Sequence, residues 1–387
     1  MFNESLTKQF EQRETPFYYY DLDLLNETLN VLISSSKKRG YNVHYAIKAN
    51  VNEPILNLVK KYGLGADCVS GNEVKHALNC GFKPSDIVFA GVGKSDKEIN
   101  YALENDIFCY NCESVEEIEV INELASNQNK VARIAIRVNP NVDADTHKYI
   151  TTGKEENKFG INYSDLTSVI EVVRGCKNVK LIGLHFHIGS QITSLNPFIE
   201  LCSRVNHIWS WLIKEFPEMY VLNLGGGLGI DYKNPQNNIP DFESFFHVFE
   251  NNLEVNGAEI HFELGRSIVG QCGSLITRVL YNKTSGKKNF LILDAGMTEL
   301  IRPALYEGKH KIENISNSFG EECYDVVGPV CESSDTFGKN IILPISKRND
   351  LIAIKSAGAY GEIMSSNYNL RELSEVFYSK KIVLTNC

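Results

Sequence analysis

A lysine at the end of an apolar run, in Tyr45-Ala46-Ile47-Lys48-Ala49-Asn50, is the first residue of the chain placed to do chemistry. The run 43–49 reads as a buried strand, where desolvation disfavours the ammonium form, and the neutral amine is the nucleophile that condenses with an aldehyde. Comparable runs end on other unusual groups: Asp67; His187, in Leu184-His185-Phe186-His187-Ile188-Gly189-Ser190-Gln191; Gly225-Gly226-Gly227-Leu228-Gly229; and Glu263-Leu264-Gly265-Arg266. Singly, each has a bland reading: a lysine with its head in solvent, a packed histidine, a plain turn, a surface Glu–Arg pair. Together they offer an amine, a run of glycines exposing N–H groups to a phosphate, a carboxylate and a flat imidazole. Pyridoxal phosphate needs that set: a lysine Schiff base, an anchored phosphate and an acid facing the pyridine nitrogen. Lys48, Asp67, His187 and Gly225 to Gly227 with Glu263 are therefore candidate cofactor residues.

The elements that must position them alternate. β-like runs occur at 43–49, 65–69, 87–91, 107–111, 132–139, 182–188, 221–225 and 259–264, and helical patterns fall between them, with a first helix at 22–38 capped by Asp21 or Asp23. Three helices open on S-x-x-E capping boxes, Ser70–Glu73, Ser95–Glu98 and Ser114–Glu117. Eight strands in βα units predict an α/β fold, a closed (β/α)8 TIM-like barrel, whose active site lies at the strands' C-terminal ends. An open doubly wound sheet is disfavoured because no G-x-G-x-x-G turn follows the first strand. After Arg266 the runs 275–281, 289–293, 324–328, 341–344 and 351–355 predict a second, mostly β domain with one helical run at 370–376. The aromatic stretch 17–20, which this reading places ahead of any helix, and a last strand at 381–385 are expected in the same sheet. The expected division is a barrel over 21–264 and a β-rich domain from 1–20 and 265–387 that contributes to the active site.

Composition narrows the function classes. A net charge of −9 without a basic cluster argues against nucleic acid as a partner. No apolar segment is long enough to span a bilayer and residues 1–13 lack a signal-peptide core, so the expectation is a cytoplasmic protein with no membrane partner. Ten scattered cysteines fit reduced thiols, and Cys109-Tyr-Asn-Cys112, the lone C-x-x-C, has no second pair to complete a metal site, so no metal is expected.

These motifs resemble the alanine-racemase-like barrel class of pyridoxal-phosphate enzymes, and within it the diaminopimelate decarboxylase family. The resemblance runs from Pro16 to Gly361 and is most specific in Arg137-Val-Asn-Pro-Asn-Val-Asp-Ala-Asp-Thr-His147, Lys158-Phe-Gly160, Arg302-Pro-Ala-Leu-Tyr306, Gly328-Pro-Val-Cys331-Glu332 and Ala357-Gly-Ala-Tyr360-Gly. Leu264 stands where the family usually has proline, and Lys148 likewise follows His147 in place of proline. The resemblance implies that Lys48 carries the cofactor, that Glu263 faces the pyridinium, and that Gly225 to Gly227 and Ser190 cradle the phosphate. Leu264, Gly265, Arg266 and Tyr360 complete the implied cofactor set. Arg266, Arg302, Tyr306, Glu332 and Tyr360 are implied substrate contacts. A homodimer with shared active sites is also implied, the partner supplying Cys331 and Glu332.

The expected reaction is decarboxylation of an amino acid, with Lys48, His187 and Cys331 as catalytic residues and Cys331 the proton donor to Cα. Charge counting refines the substrate. Meso-2,6-diaminopimelate carries a distal ammonium and a distal carboxylate, which Glu332 and Arg302 can match, whereas a diamine-forming decarboxylase would leave that arginine unpaired. Expected products are L-lysine and CO2, the last step of lysine biosynthesis. The alternatives are a related basic amino-acid or carboxynorspermidine decarboxylase, and a non-enzymatic pseudoenzyme of the same fold.

Overall fold

In the computed structural model of the chain, residues 2–142, 158–235 and 239–379 are described. They divide into two compact units, one within 1–28, 230–239 and 266–384, the other within 29–229 and 240–265.

The second unit is the barrel. Its strands are β2 (Asn42–Ala46), β3 (Gly65–Cys68), β4 (Ile87–Phe89), β5 (Cys109–Cys112), β6 (Ala132–Asn139), β8 (Val179–His185), β9 (Val221–Asn223) and β10 (Glu259–Leu264), with β1 (Phe17–Tyr20) in the other unit and the two-residue β7 (Ile161–Asn162) on the edge of β6. All eight pair in parallel, and β10 pairing with β2 and β5 with β6 closes the ring. Val88, Cys109, Ala135, Ile182 and Val221 fill part of the interior, as the layered core of such a barrel requires. On the outside Phe198, Phe245, Phe246, Phe249 and Phe262 meet edge-to-face with centroids 4.8 to 5.9 Å apart, seating the helices Asn196–Glu215 and Phe242–Asn252 on β10.

The capping serines act as their spacing predicts, but the glutamates reach further. Ser70 Oγ and Ser114 Oγ accept from the amides of Glu73 and Glu117, while those carboxylates accept from Val69 N and Glu113 N, one residue ahead of the cap. Glu98 accepts from Ser95 N at 3.0 Å and also from Gly71 N at 2.7 Å, joining the starts of two helices.

Two strand ends differ from expectation. β2 stops at Ala46 and Lys48 sits in a single 3-10 turn, Ile47–Ala49. β8 stops at His185, so His187 lies beyond the strand. In both cases the chain must leave the ladder to present a polar head above the rim, which an extended, paired backbone would not do.

The first unit holds an eight-stranded sheet in the order β13 (Ile312–Asn314), β16 (Leu351–Lys355), β11 (Gly273–Ser285), β12 (Lys288–Leu293), β14 (Glu322–Val327), β15 (Thr336–Leu343), with β1 paired to both β11 and β17 (Glu375–Tyr378). The aromatic run 17–20 does join this sheet, but a helix, Glu4–Glu11, precedes it. Its buried residue, Phe10, packs with Phe17, Tyr19 and Ile276, and Leu6, one turn before it, and Phe2 pack against the same cluster, an i, i+4 spacing that the sequence does carry. The run 370–376 is not a helix: a 3-10 turn ends at Leu370 and β17 starts at Glu375. Asn369 and Leu370 both take positive φ, which interrupts helical geometry. The expected strand 381–385, and 143–147 of the long asparagine–aspartate motif, lie outside the described residues.

Candidate active site

The barrel rim gathers Lys48, Asp67, His185, His187 and Glu263, each within the last two residues of its strand or just beyond it. Lys48 Nζ donates to Asp67 Oδ2 at 3.0 Å; the lysine side chain is 35% exposed and the aspartate is fully buried. The amine is thus held by a buried carboxylate on a side chain that is itself partly exposed. Burial and the charge of Glu263 push the Asp67 carboxyl up, with Lys48 opposing them. Asp67 Oδ1 is buried with no hydrogen-bond partner among the described residues.

Glu263 sits inside the ring with three donors on it. Asn111 Nδ2 and Asn223 Nδ2 donate to Oε1 at 2.9 and 2.7 Å, and His185 Nε2 meets Oε2 at 3.0 Å. Burial alone would raise this carboxyl, but His185 and Lys48 outweigh it and hold the group well below the usual carboxylate range. It is a fixed anion at neutral pH. Each carboxylate oxygen accepts two hydrogen bonds, so Oε2 has capacity for one more donor.

His187 is driven the other way. Burial, then the charges of Arg137 and Lys48, lower it well below an ordinary imidazole, so the ring is neutral. Its Nδ1 accepts from Gly226 N at 3.3 Å, which places the proton on Nε2. Arg137 in turn is paired with Glu113 at 2.6 Å, and Glu113 also accepts from Gly160 N at 2.8 Å.

The glycine run is packed closely against its neighbours. Two of its N–H groups are spent inside the protein, Gly225 N on Asn223 Oδ1 at 2.9 Å and Gly226 N on His187. Side chains are excluded by proximity: a Cβ on Gly226 would lie 2.0 Å from Glu263 O, and one on Gly225, whose φ is +67°, 2.3 Å from Phe186 O. Ile192 N donates to Gly227 O and Gly229 N to Ile192 O, lacing this loop to the one that carries Ser190. Leu264 and Gly265 are buried, and Gly265 packs on Ala46 and Ala49 beside the lysine turn.

The β-rich unit carries a second constellation. Arg266 and Arg302 are buried, 6% and 5% exposed. Arg266 Nη1 donates to Tyr232 Oη at 2.6 Å, and its guanidinium lies 4.7 Å from the Tyr360 ring centroid. Arg302 lies 4.6 Å over the Tyr232 ring and donates to His310 Nε2 at 2.7 Å. Burial pulls the Arg302 pKa below its ordinary value, Tyr232 opposing and Arg266 reinforcing; Tyr306 and Tyr360 are also within electrostatic reach. Tyr360 holds φ +54°, a strained backbone for a bulky residue.

Cys331 and Glu332 lie on an exposed loop of the same unit, and no hydrogen bond or ion pair joins them to the arginines among the described residues. Tyr368 Oη donates to Glu332 Oε1 at 2.8 Å, and Cys331 N to Asn369 Oδ1 at 3.4 Å. The loop is braced from below by buried Asp335, which accepts from Val330 N at 2.7 Å and Met297 N at 2.6 Å.

Asn111, Asn223, Tyr232, His310 and Asp335 escaped the sequence reading. The two asparagines had a signal, a polar residue inside an otherwise apolar strand; Asn111 lies within the C-x-x-C run, whose thiols are buried in β5. No group of three or more His, Cys, Asp or Glu able to hold a metal exists among the described residues. Nor is any described helix long and apolar enough to cross a membrane.

The rim fits pyridoxal phosphate by its groups: an amine on a partly exposed side chain, an ionised carboxylate with one open acceptor position, and a loop too close-set for side chains. The comparisons agree. Residues 28–270 match the model of the pyridoxal-dependent decarboxylase, pyridoxal binding domain. A diaminopimelate decarboxylase of Bacteroides thetaiotaomicron is 55% identical over 97% of this chain and 98% of its own. The crystal structure of diaminopimelate decarboxylase from Helicobacter pylori complexed with L-lysine superposes with a TM-score of 0.92 at 41% identity, covering 97% of this chain and 94% of that one. That from M. jannaschii, also in complex with L-lysine, gives 0.89 at 34% identity over 97% and 89%. The chain belongs to the diaminopimelate decarboxylase family of pyridoxal-dependent decarboxylases.

Proposed function

We propose that the chain decarboxylates meso-2,6-diaminopimelate at its D-centre, using pyridoxal phosphate, and releases CO2 and L-lysine. The observation that carries this reading is Glu263, a buried carboxylate kept ionised by Asn111, Asn223 and His185. When bound, pyridoxal phosphate supplies an electrophilic carbon for an amine and a conjugated ring that takes up the electron pair left on Cα as CO2 departs.

Lys48 would hold the cofactor through its amine, with Asp67 orienting Nζ. Glu263 Oε2 keeps a proton on the pyridine nitrogen. His187, neutral and anchored through Nδ1, offers its ring as a stacking surface. The glycine loop and Ser190 receive the phosphate, with Tyr360, Leu264, Gly265 and Arg266 completing the set. Arg302 holds the distal carboxylate by its planar fork, Glu332 the distal ammonium, and Tyr306 and Arg266 line the same substrate. Cys331 delivers the proton to Cα.

The β-rich domain thus contributes to catalysis, and the working form is a cytoplasmic homodimer in which Cys331 and Glu332 serve the partner's site. Exposed Cys331 and Glu332 support this, as do Leu370 and Leu373, which expose 95% and 59% of their surfaces on the neighbouring segment. Mixing inactive Lys48→Ala and Cys331→Ala proteins tests sharing: activity returns only if one subunit completes the other's site.

The deciding experiment offers the protein, loaded with pyridoxal phosphate, meso-diaminopimelate beside ornithine, arginine and carboxynorspermidine. L-lysine and CO2 from diaminopimelate alone support the reading; preferential release from another member of the panel overturns it.

A further inference from the structure

Arg302 is fixed by a partner of unusual chemistry. A buried guanidinium ordinarily finds a carboxylate, yet among the described residues Arg302 makes no ion pair. Its hydrogen-bond partner is His310 Nε2, at 2.7 Å. Arginine only donates, so Nε2 must be the accepting nitrogen and the proton lies on Nδ1, which donates to Lys355 O at 2.8 Å. His310 is 7% exposed, and it is set by the backbone. Lys355 N donates to Lys311 O at 2.9 Å, and β13 continues the pairing with β16 from Ile312 onward. The Tyr232 ring closes the far side, edge-to-face with the imidazole at 4.9 Å and beneath the Arg302 guanidinium. Arg302 Nε is buried and has no hydrogen-bond partner among the described residues. Burial and the charges of Arg302 and Arg266 push the imidazole down to about 3, so it remains a neutral acceptor.

A neutral acceptor and a carboxylate would orient the guanidinium equally well, but only the carboxylate would cancel its charge. We propose that His310 is a positioning residue that sets specificity for a substrate bearing a distal carboxylate, by aligning Arg302 without neutralising it. This rests on the reading of Arg302 as the carboxylate-binding group. Its consequence is selective: ligands with that carboxylate depend on His310, and ligands without it do not.

The test uses holoenzyme, comparing wild type with His310→Leu, His310→Gln and His310→Glu. Turnover is measured with meso-diaminopimelate, and binding of L-lysine and of 1,5-diaminopentane, which is lysine without its carboxylate, is read from the cofactor's absorption. His310→Leu should raise KM and weaken L-lysine by about 10-fold, leaving kcat and 1,5-diaminopentane near wild type. His310→Gln, which keeps a neutral acceptor, should recover most of that loss. His310→Glu should be worst, on the order of 100-fold for L-lysine, because the new carboxylate occupies the arginine. Equal losses for both ligands, or a glutamate variant that binds L-lysine like wild type, overturn the proposal. If His310→Leu fails to take up cofactor, the glutamine and glutamate variants decide it by the same criteria. Arg302→Met, run alongside, separates the two claims. If it leaves the ratio of L-lysine to 1,5-diaminopentane affinity unchanged, the reading of Arg302 fails. If it collapses that ratio while the His310 variants do not, the inference about His310 alone fails.

Discussion

The two clusters of buried charge are built on opposite plans. On the barrel rim the carboxylates are held by donors and a cation of the protein itself: Glu263 has three side-chain donors and Asp67 Oδ2 has Lys48. In the β-rich unit, among the described residues, Arg302 rests on neutral groups, an imidazole nitrogen and the face of a phenol. An internally compensated cluster keeps its geometry with or without ligand, which suits a group that must hold a cofactor's electronics constant through a cycle. A cation on neutral supports carries a desolvation cost that an incoming anion relieves, which suits selection. Under the proposed function, reactivity is preformed in one region and discrimination waits for substrate in the other.

The most severe break should come on the preformed side. Lys48→Ala removes the amine, and turnover should fall by at least about 10³-fold, with loss of the covalently bound chromophore's absorption; surviving turnover would remove the basis of the cofactor assignment. Next is the selective side. Arg302→Met should lower kcat/KM for meso-diaminopimelate by on the order of 10²-fold, chiefly through KM, as steady-state assays would show. Gly226→Ala tests whether the loop's closeness matters: its Cβ would meet Glu263 O at 2.0 Å. Cofactor affinity should drop by about 10-fold, measured by equilibrium titration of the apoprotein.

The smallest effect separates preformed structure from chemistry. At the opposite end of the barrel strands, buried His44 Nε2 and His261 Nδ1 lie 2.9 Å apart, stacked with Phe108, and His44 Nδ1 meets Asp86 O at 3.1 Å. The groups facing His261 are His44, Glu259 at 3.6 Å, Asn42 at 3.5 Å and, through charge, Glu263. Burial, with His44, lowers His261 to about 3, whereas an unfolded histidine protonates near 6.5. Between those values the unfolded chain binds the extra proton, so this stability is complete above about pH 6.5 and is lost as pH falls, by on the order of 1 kcal/mol per unit. Melting temperatures from pH 7 to 4 should decline less steeply in His261→Asn, while kcat at pH 7 stays near wild type.

The barrel was legible because its physics is local. Alternating apolar runs and S-x-x-E starts mark βα units whatever lies around them, and the strand ends carry Lys48, Asp67, His187, Gly225 and Glu263 at rim positions. Where tertiary contacts set the outcome, sequence reading fell short. Nothing local separates a strand running to Ala49 from one that stops at Ala46 and turns. The helix Glu4–Glu11 is held by Phe10 in a core made from distant segments, and 370–376 looked helical only in composition.

By itself, then, the sequence determined the succession of elements and the kinds of chemical group at each strand end, since periodicity, capping and residue type act over a few neighbours. Only the tertiary structure decided the charge states and partners. Glu263 is an anion because Asn111, Asn223 and His185 converge on it from three other strands, and Arg302 keeps an uncancelled charge because His310, eight residues on, folds back as a neutral acceptor. Desolvation and hydrogen bonding depend on everything within a few ångströms, and most of those atoms are far away in the chain.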